Sequence, residues 1–174
     1  MNSALLSINI RFANTSDALA IAMCHVASWQ RIYRGHIPAA VLDNLSVKER
    51  EQKWHDLLNS NVKILILEHN NHMIGFASLC PARDKDTNSK QCSEISAIYL
   101  HPDVWRQGLG KKLCFAALSE LEKMGFSEVI VWVLKENKQA RKFYESMEFN
   151  EDGHSKLESY NTNISLNEVR YRNI

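Results

Sequence analysis

The sequence predicts an α/β fold of the α+β, mixed-sheet kind: a central sheet of about seven strands flanked by four helices. Three observations carry that expectation. Segments of period-two and period-3.6 apolar spacing alternate along the chain, and those periods mark strands and helices respectively. One run, Val129-Ile130-Val131-Trp132-Val133, is apolar throughout, as in a strand covered on both faces. Finally, 174 residues with 45% apolar and 24% charged content suit one core, and no repeat, low-complexity tract or linker divides them. Residues 1–174 therefore read as a single domain.

Each element has its own signal. Ile8 to Phe12 alternates as a strand. Thr15, Ser16 and Asp17 offer N-caps to a helix whose expected buried stripe is Leu19, Met23, Val26, Trp29 and Tyr33, stopped by Gly35. Pro38 interrupts a short connecting segment, and Ser46 to Glu49 forms a capping box for a second helix carrying Trp54, Leu57 and Leu58. Val62 to Glu68 and Met73 to about Leu79 pair as a hairpin turning at Asn70-Asn71. Residues 83–91, RDKDTNSKQ, are polar and unperiodic, an exposed loop. A third helix follows the next strand, with Leu113, Ala117, Leu121 and Met124 on one face and Gly125 in the usual stop position. After the apolar strand, Asn137 caps a helix with Ala140, Phe143, Tyr144 and Met147 at helical spacing. Two strands close the order, from about Phe149 and from Ile164 to Tyr171. The single strand–helix–strand unit should form a right-handed parallel crossover.

Composition narrows the function. Net charge is +1 with the signs well mixed, which disfavours a nucleic-acid partner. No segment is long and apolar enough to span a bilayer, and the start has no basic leader, so the expectation is a cytoplasmic protein with no membrane contact. Four cysteines, Cys24, Cys80, Cys92 and Cys114, show no CxxC spacing and read as buried thiols rather than disulfides or metal ligands. The histidines share no ligand spacing. No metal is expected.

The chemistry concentrates in Ser93 to Leu113, SEISAIYLHPDVWRQGLGKKL. A strand ends at a His-Pro-Asp corner, since Pro102 has no amide to donate, and a helix opens at Arg106-Gln107-Gly108-Leu109-Gly110-Lys111. Two glycines at a helix start permit a tight turn and leave its first amides bare. With the helix dipole and Lys111, they either make an anion site or merely turn a corner. A Walker loop fails, because Lys112 stands where Ser or Thr is needed. A dinucleotide fingerprint puts Leu113 where a third glycine belongs. The pattern Gln/Arg-x-x-Gly-x-Gly/Ala between strand and helix resembles the pyrophosphate loop of the GNAT superfamily of acetyl-CoA-dependent N-acetyltransferases. It matches at Gly108 and Gly110 and departs at Trp105. A second segment, Asn137 to Phe149, is similar to that family's Asn-x-x-Ala-x-x-x-Tyr-x-x-x-Gly-Phe, with Glu148 in place of glycine. The segment Trp29 to Leu42 looks like an aromatic-rich first helix and loop found in a subgroup of the family.

The resemblance implies a GNAT-like domain transferring an acetyl group from acetyl-CoA to a primary amine of a small molecule or protein by direct nucleophilic attack. It implies that Tyr144 protonates the departing thiolate, that backbone of Ile98, Tyr99 and Leu100 holds the pantetheine arm and polarises the acyl carbonyl, and that Arg106 to Lys111 bind the pyrophosphate. Asn137 would add a polar contact to its role as N-cap. The residues themselves add two candidates. Glu94, at the start of the central strand, is either the general base or a solvated strand carboxylate. Trp29 and Tyr33 either line the acceptor pocket or belong to the core. Competing functions are a catalytically silent acyl-CoA sensor and a nucleotide-binding interaction module. The sequence does not fix the oligomeric state, though an exposed last strand could serve a homodimer.

Overall fold

The computed structural model describes residues 8–60, 62–161 and 164–174, without the side chains of 160 and 161. Seven strands form one sheet: β1 (Ile8–Phe12), β2 (Lys63–His69), β3 (His72–Pro81), β4 (Cys92–Leu100), β5 (Glu128–Leu134), β6 (Asn150–Asn161) and β7 (Ile164–Asn173). Their spatial order is β1-β2-β3-β4-β5-β7-β6. Every neighbouring pair is antiparallel except β4 and β5, which run parallel and are joined by a helix, as the crossover reading requires. The β2–β3 turn uses Asn70 and Asn71 at φ 51° and 63°, the two left-handed residues that a tight hairpin needs and that asparagine tolerates.

Among the described residues five α-helices flank the sheet: α1 (Ala18–Ile32), α2 (Ala39–Asp43), α3 (Val47–Leu58), α4 (Leu109–Lys123) and α5 (Lys138–Glu145). Four were expected; α2 lies in what read as the connecting segment, five residues too short to show a period. On one face of the sheet α4 and the end of α5 bury Leu113, Ala117, Leu121, Tyr144 and Phe149 against Ile95, Val131 and Val169. On the other face α1 and α3 cover Ile64, Ile66 and Phe76. Beyond them Trp29, Tyr33, Ile37 and Leu42 close over Leu134 and Leu166.

Two expectations change. Of the expected stripe of α1, Val26, Trp29 and Tyr33 are buried, together with Ala18, Ile21, Ala22, Cys24, His25 and Ser28, while Leu19 and Met23 are 47% and 57% exposed. The helix is wedged against both the sheet and α3, so its buried face is wider than a single stripe, and only the remaining side, with Leu19 and Met23, is left to solvent. The last strand, in turn, is not exposed: β7 lies between β5 and β6, and β6 is the edge.

The feature that positions the site is a parting of strands. β4 and β5 pair only at Cys92–Glu128, Ser93–Val129 and Glu94–Ile130. Beyond that point β5 stays with β7 as far as Leu134, and β4 stays with β3. A wedge therefore opens in the middle of the sheet. A bulge in β4 between Ala97 and Ile95 leaves Ser96 exposed at the wedge.

Candidate active site

A groove of about 930 Å³ runs from this wedge outward between the starts of α4 and α5. Its inner end is made by Ile98, Tyr99, Leu100, Phe143 and Tyr144, and its outer end by Trp105, Arg106, Gly108, Gly110, Lys111, Asn137, Lys138 and Lys142, with Arg31 at the side. Five lining residues are cations and none is a carboxylate. A second groove, about 410 Å³ beside Phe115, Phe126 and Glu122, has no cationic lining residue and offers nothing to an anion.

The outer end is built by backbone. Gly108, at φ 78°, is the N-cap of α4, and no side chain caps that helix start. The first-turn amides therefore face the groove with the positive end of a fifteen-residue helix behind them. A Cβ at Gly108 would meet nothing within 4 Å, so its glycine serves the left-handed conformation. A Cβ at Gly110 would lie 3.4 Å from Phe143 and 3.5 Å from Leu100, an ordinary contact, so a methyl group fits where α4 passes α5 and β4. Arg106 also sits at positive φ, 60°, an uncommon state for a long side chain. Gln107 is exposed and Leu109 buried, and neither side chain lines the groove.

Trp105, the departure from the motif, has a visible role. Its indole Nε1 donates to the Leu100 carbonyl at 2.8 Å, and Ser28 Oγ donates to the same oxygen at 2.8 Å. Both lone pairs of that carbonyl are engaged, which ties the loop and α1 to the end of β4. Asn137 caps α5 through Oδ1, accepting from Ala140 N at 3.0 Å, so its Nδ2 remains for a ligand. Tyr144 is buried at 7% exposure, packed between Phe143 and Phe149. Its hydroxyl accepts and donates no hydrogen bond among the described residues, and the residue lines the groove. Burial, with Cys114 and Tyr99 nearby, holds this phenol well above its ordinary value. It keeps its proton.

The other face of the wedge is held by ion pairs. Glu94 is 3% exposed, and Arg83 grips both its oxygens, Nη2–Oε1 at 2.6 Å and Nε–Oε2 at 3.0 Å. It is thus not a solvated carboxylate, and it lies outside the groove lining. Arg83 is held up in turn, chiefly by that hydrogen bond. The loop carrying Arg83 is exposed as expected but is anchored: Asp84 and Asp86 bind the buried Arg170 at 2.8 and 2.6 Å, and Asp84 accepts from Trp132 Nε1. Trp29 and Tyr33 are core aromatics, 8% and 6% exposed. Trp29 Nε1 donates to the Tyr99 hydroxyl at 3.1 Å, so the pair stands behind Tyr99 rather than in the groove. Sequence reasoning missed Arg31, Lys138 and Lys142, since solvated cations carry no local pattern, and Arg83 and Arg170, since their carboxylate partners are distant in the sequence.

Comparisons with known proteins agree with this geometry. The sequence profile described as "Acetyltransferase (GNAT) family" matches residues 28–149. YuaI of Bacillus subtilis (strain 168), an uncharacterised N-acetyltransferase, is 34% identical over 130 residues, 75% of this chain and 73% of that one. PaiA N-acetyltransferase from Thermoplasma acidophilum, solved in complex with coenzyme A, superposes with a TM-score of 0.69 at 21% identity, over 94% of this chain and 98% of that one. YncA from Salmonella typhimurium, solved with its cofactor acetyl-CoA, has a TM-score of 0.71 at 19% identity, over 96% and 93%. At such identities the likeness speaks for the fold. With the profile covering most of the sequence and the parted strands beside the glycine loop, this chain belongs to the GNAT family of acetyltransferases.

Proposed function

We propose that this protein moves an acetyl group from acetyl-CoA to a primary amine, of a small molecule or a protein, by direct attack of the amine on the thioester. The groove carries the reading: cations and an uncapped helix start at one end, unpaired strand backbone and a protonated tyrosine hydroxyl at the other. Acetyl-CoA is likewise a polyanion at one end and a thioester at the other. The amides of Arg106 to Lys111, with Arg31, Arg106, Lys111, Lys138 and Lys142, would hold its phosphates. Backbone of Ile98 and Tyr99 and Nδ2 of Asn137 would hold its arm. When bound, it supplies an acyl group activated as a thioester.

The rest is the work of the chain. A lysine-like amine is neutral in only about one molecule in 10³ at pH 7, so its proton must be accepted. Glu94 takes that role through water at the exposed Ser96 bulge, because each oxygen bound by Arg83 keeps a second lone pair. Backbone amides on β4 polarise the acyl carbonyl as it gains charge. Tyr144 gives its proton to the departing thiolate. Trp29 and Tyr33 contribute to the acceptor side indirectly, by fixing Tyr99. A reducing, cytoplasmic setting fits four cysteines that are all unpaired.

The test is calorimetric titration with acetyl-CoA, ATP and NAD, followed by release of free CoA over a panel of amines. Acetyl-CoA should bind and the two nucleotides should not, with CoA release dependent on amine. Tight binding with no release on any amine would make the protein an acyl-CoA sensor.

A further inference from the structure

We infer that β6 is a self-pairing edge, and that two copies of this chain join through it into one continuous sheet. Among the described residues, β6 closes the sheet on one side and has a partner, β7, on its inner side only. Its first half is disrupted: the register shifts between Glu151 and Ser155, where Gly153 stands at φ 85°. From Ser155 to Ser159 the ladder to β7 is regular, so the outer backbone groups of this stretch form a straight, unpaired row. Such a row is a template for another strand.

The side chains indicate which strand fits. Leu157 sits at the middle of the regular stretch and is 72% exposed. On the opposite face Lys156 and Glu158 flank it, with Nζ and Oε2 3.3 Å apart. Consider a second copy placed antiparallel, with a two-fold axis through Leu157. Leu157 then meets Leu157 of the other copy and loses its exposure to water. Lys156 meets Glu158 of the other copy, and Glu158 meets its Lys156, both on the same face of the sheet. Isologous pairing demands such self-complementarity. A lysine defends an edge against self-association because, at the axis, it would face its own like charge. Here the axis residue is apolar and the charges beside it alternate in sign, so the edge attracts its own copy.

The other edge does not offer this. β1 has five residues, and its one charged side chain, Arg11, is committed to Asp17 and Glu68 at 2.9 Å each.

Sedimentation velocity over a concentration series tests the inference. The unmodified chain should shift from monomer toward dimer as concentration rises. Glu158→Lys makes both cross-strand pairs like-charged, and so does Lys156→Glu; each should raise the dimer dissociation constant at least about tenfold. Mixing the two variants should restore the dimer, because a copy with two lysines then faces a copy with two glutamates. Lys156 also lies against Trp132 and Glu168, so Leu157→Asp, at an exposed position that threatens no packing, provides an independent variant and should weaken association as strongly. A chain that stays monomeric throughout, a dimer indifferent to all three substitutions, or a variant mixture that fails to associate would each overturn the assignment.

Discussion

The two sides of the wedge handle charge in opposite ways. On the groove side, Arg31, Arg106, Lys111, Lys138 and Lys142 converge on open space, and among the described residues none forms an ion pair. On the far side, Arg170 is 1% exposed and ringed by Asp84, Asp86 and Asp152, and Arg83 and Arg172 are likewise spent on Glu94 and Glu128. Unpaired cations repel one another, which costs stability and concentrates an anion. Paired cations, Arg170 buried among them, do the reverse: they bind nothing further and hold the loop that carries Arg83 in place. One side is poised for a ligand, and the other is holding itself together.

Breaking the self-held side should produce the largest effect. Arg170→Met leaves three aspartates beside Trp132 without their cation. It should cost about 3 kcal/mol of stability, the low end for a broken buried ion pair since Asp86 is partly solvated. Acetyl-CoA affinity of the folded variant should hardly move, and a matching loss of affinity would show that the two sides are coupled. Acid sharpens the point. The Arg170 hydrogen bond holds Asp86 well below the usual carboxylate range, so its contribution is present above about pH 4 and lost as pH falls further. His25 works in a different window. Burial first, then Arg50 and Lys53, push it down to about 3. The unfolded chain then takes up the proton first, and stability declines below about pH 6.5, by at most ~1.4 kcal/mol per pH unit. Melts across pH should show both phases in the parent; in Arg170→Met the lower one should shrink to what Asp17 and Glu68, held low by Arg11, still contribute.

Next in size is Tyr144→Phe. It keeps the ring and the contacts with Phe143 and Phe149, so melting should change little. Turnover should fall roughly 10²-fold with the Michaelis constant for acetyl-CoA unchanged, and the deficit should grow with pH as solvent becomes a poorer proton donor. Equal turnover in steady-state CoA release would reduce Tyr144 to a packing aromatic. The two loop glycines make a finer contrast. Gly108→Val forces a β-branched residue into left-handed backbone and should cost roughly 1–2 kcal/mol, read as both a lower melting point and weaker acetyl-CoA binding. Gly110→Ala asks only for ordinary contact with Phe143 and Leu100 and should change binding little. The smallest effect is a gain. Glu148 occupies φ 65°, so Glu148→Gly should relieve strain and stabilise by about 1 kcal/mol in chemical denaturation.

How much was legible follows the same division. The groove side is made chiefly from two contiguous segments, 98–111 and 137–144, with Arg31 and Ile32 added from α1, and its key groups are backbone amides and caps whose geometry is local. Gly108 and Asn137 announce themselves by residue type and spacing. Even the departures at Trp105 and Glu148 became intelligible once seen: the first ties the loop to Leu100, and the second shows a left-handed position where glycine would sit without strain. The far side joins Arg83 and Asp84 to Glu94, Trp132 and Arg170, residues up to 86 positions apart. No periodicity links them. Read alone, the loop was polar and exposed, and Glu94 was a carboxylate without a partner.

By itself, then, the sequence determined what depends on near neighbours: the order of strands and helices, the Asn70-Asn71 turn, the glycine-opened start of α4 and the capped start of α5. Backbone sterics and side-chain periodicity act over a few residues and leave their mark in the residue types. Tertiary structure decided where β4 parts from β5, that β7 inserts inside β6, which stripe of α1 is buried, and which charges are paired or left facing the groove. Those outcomes rest on packing between distant segments and on the distances between their charges, and these exist only after the chain has closed on itself.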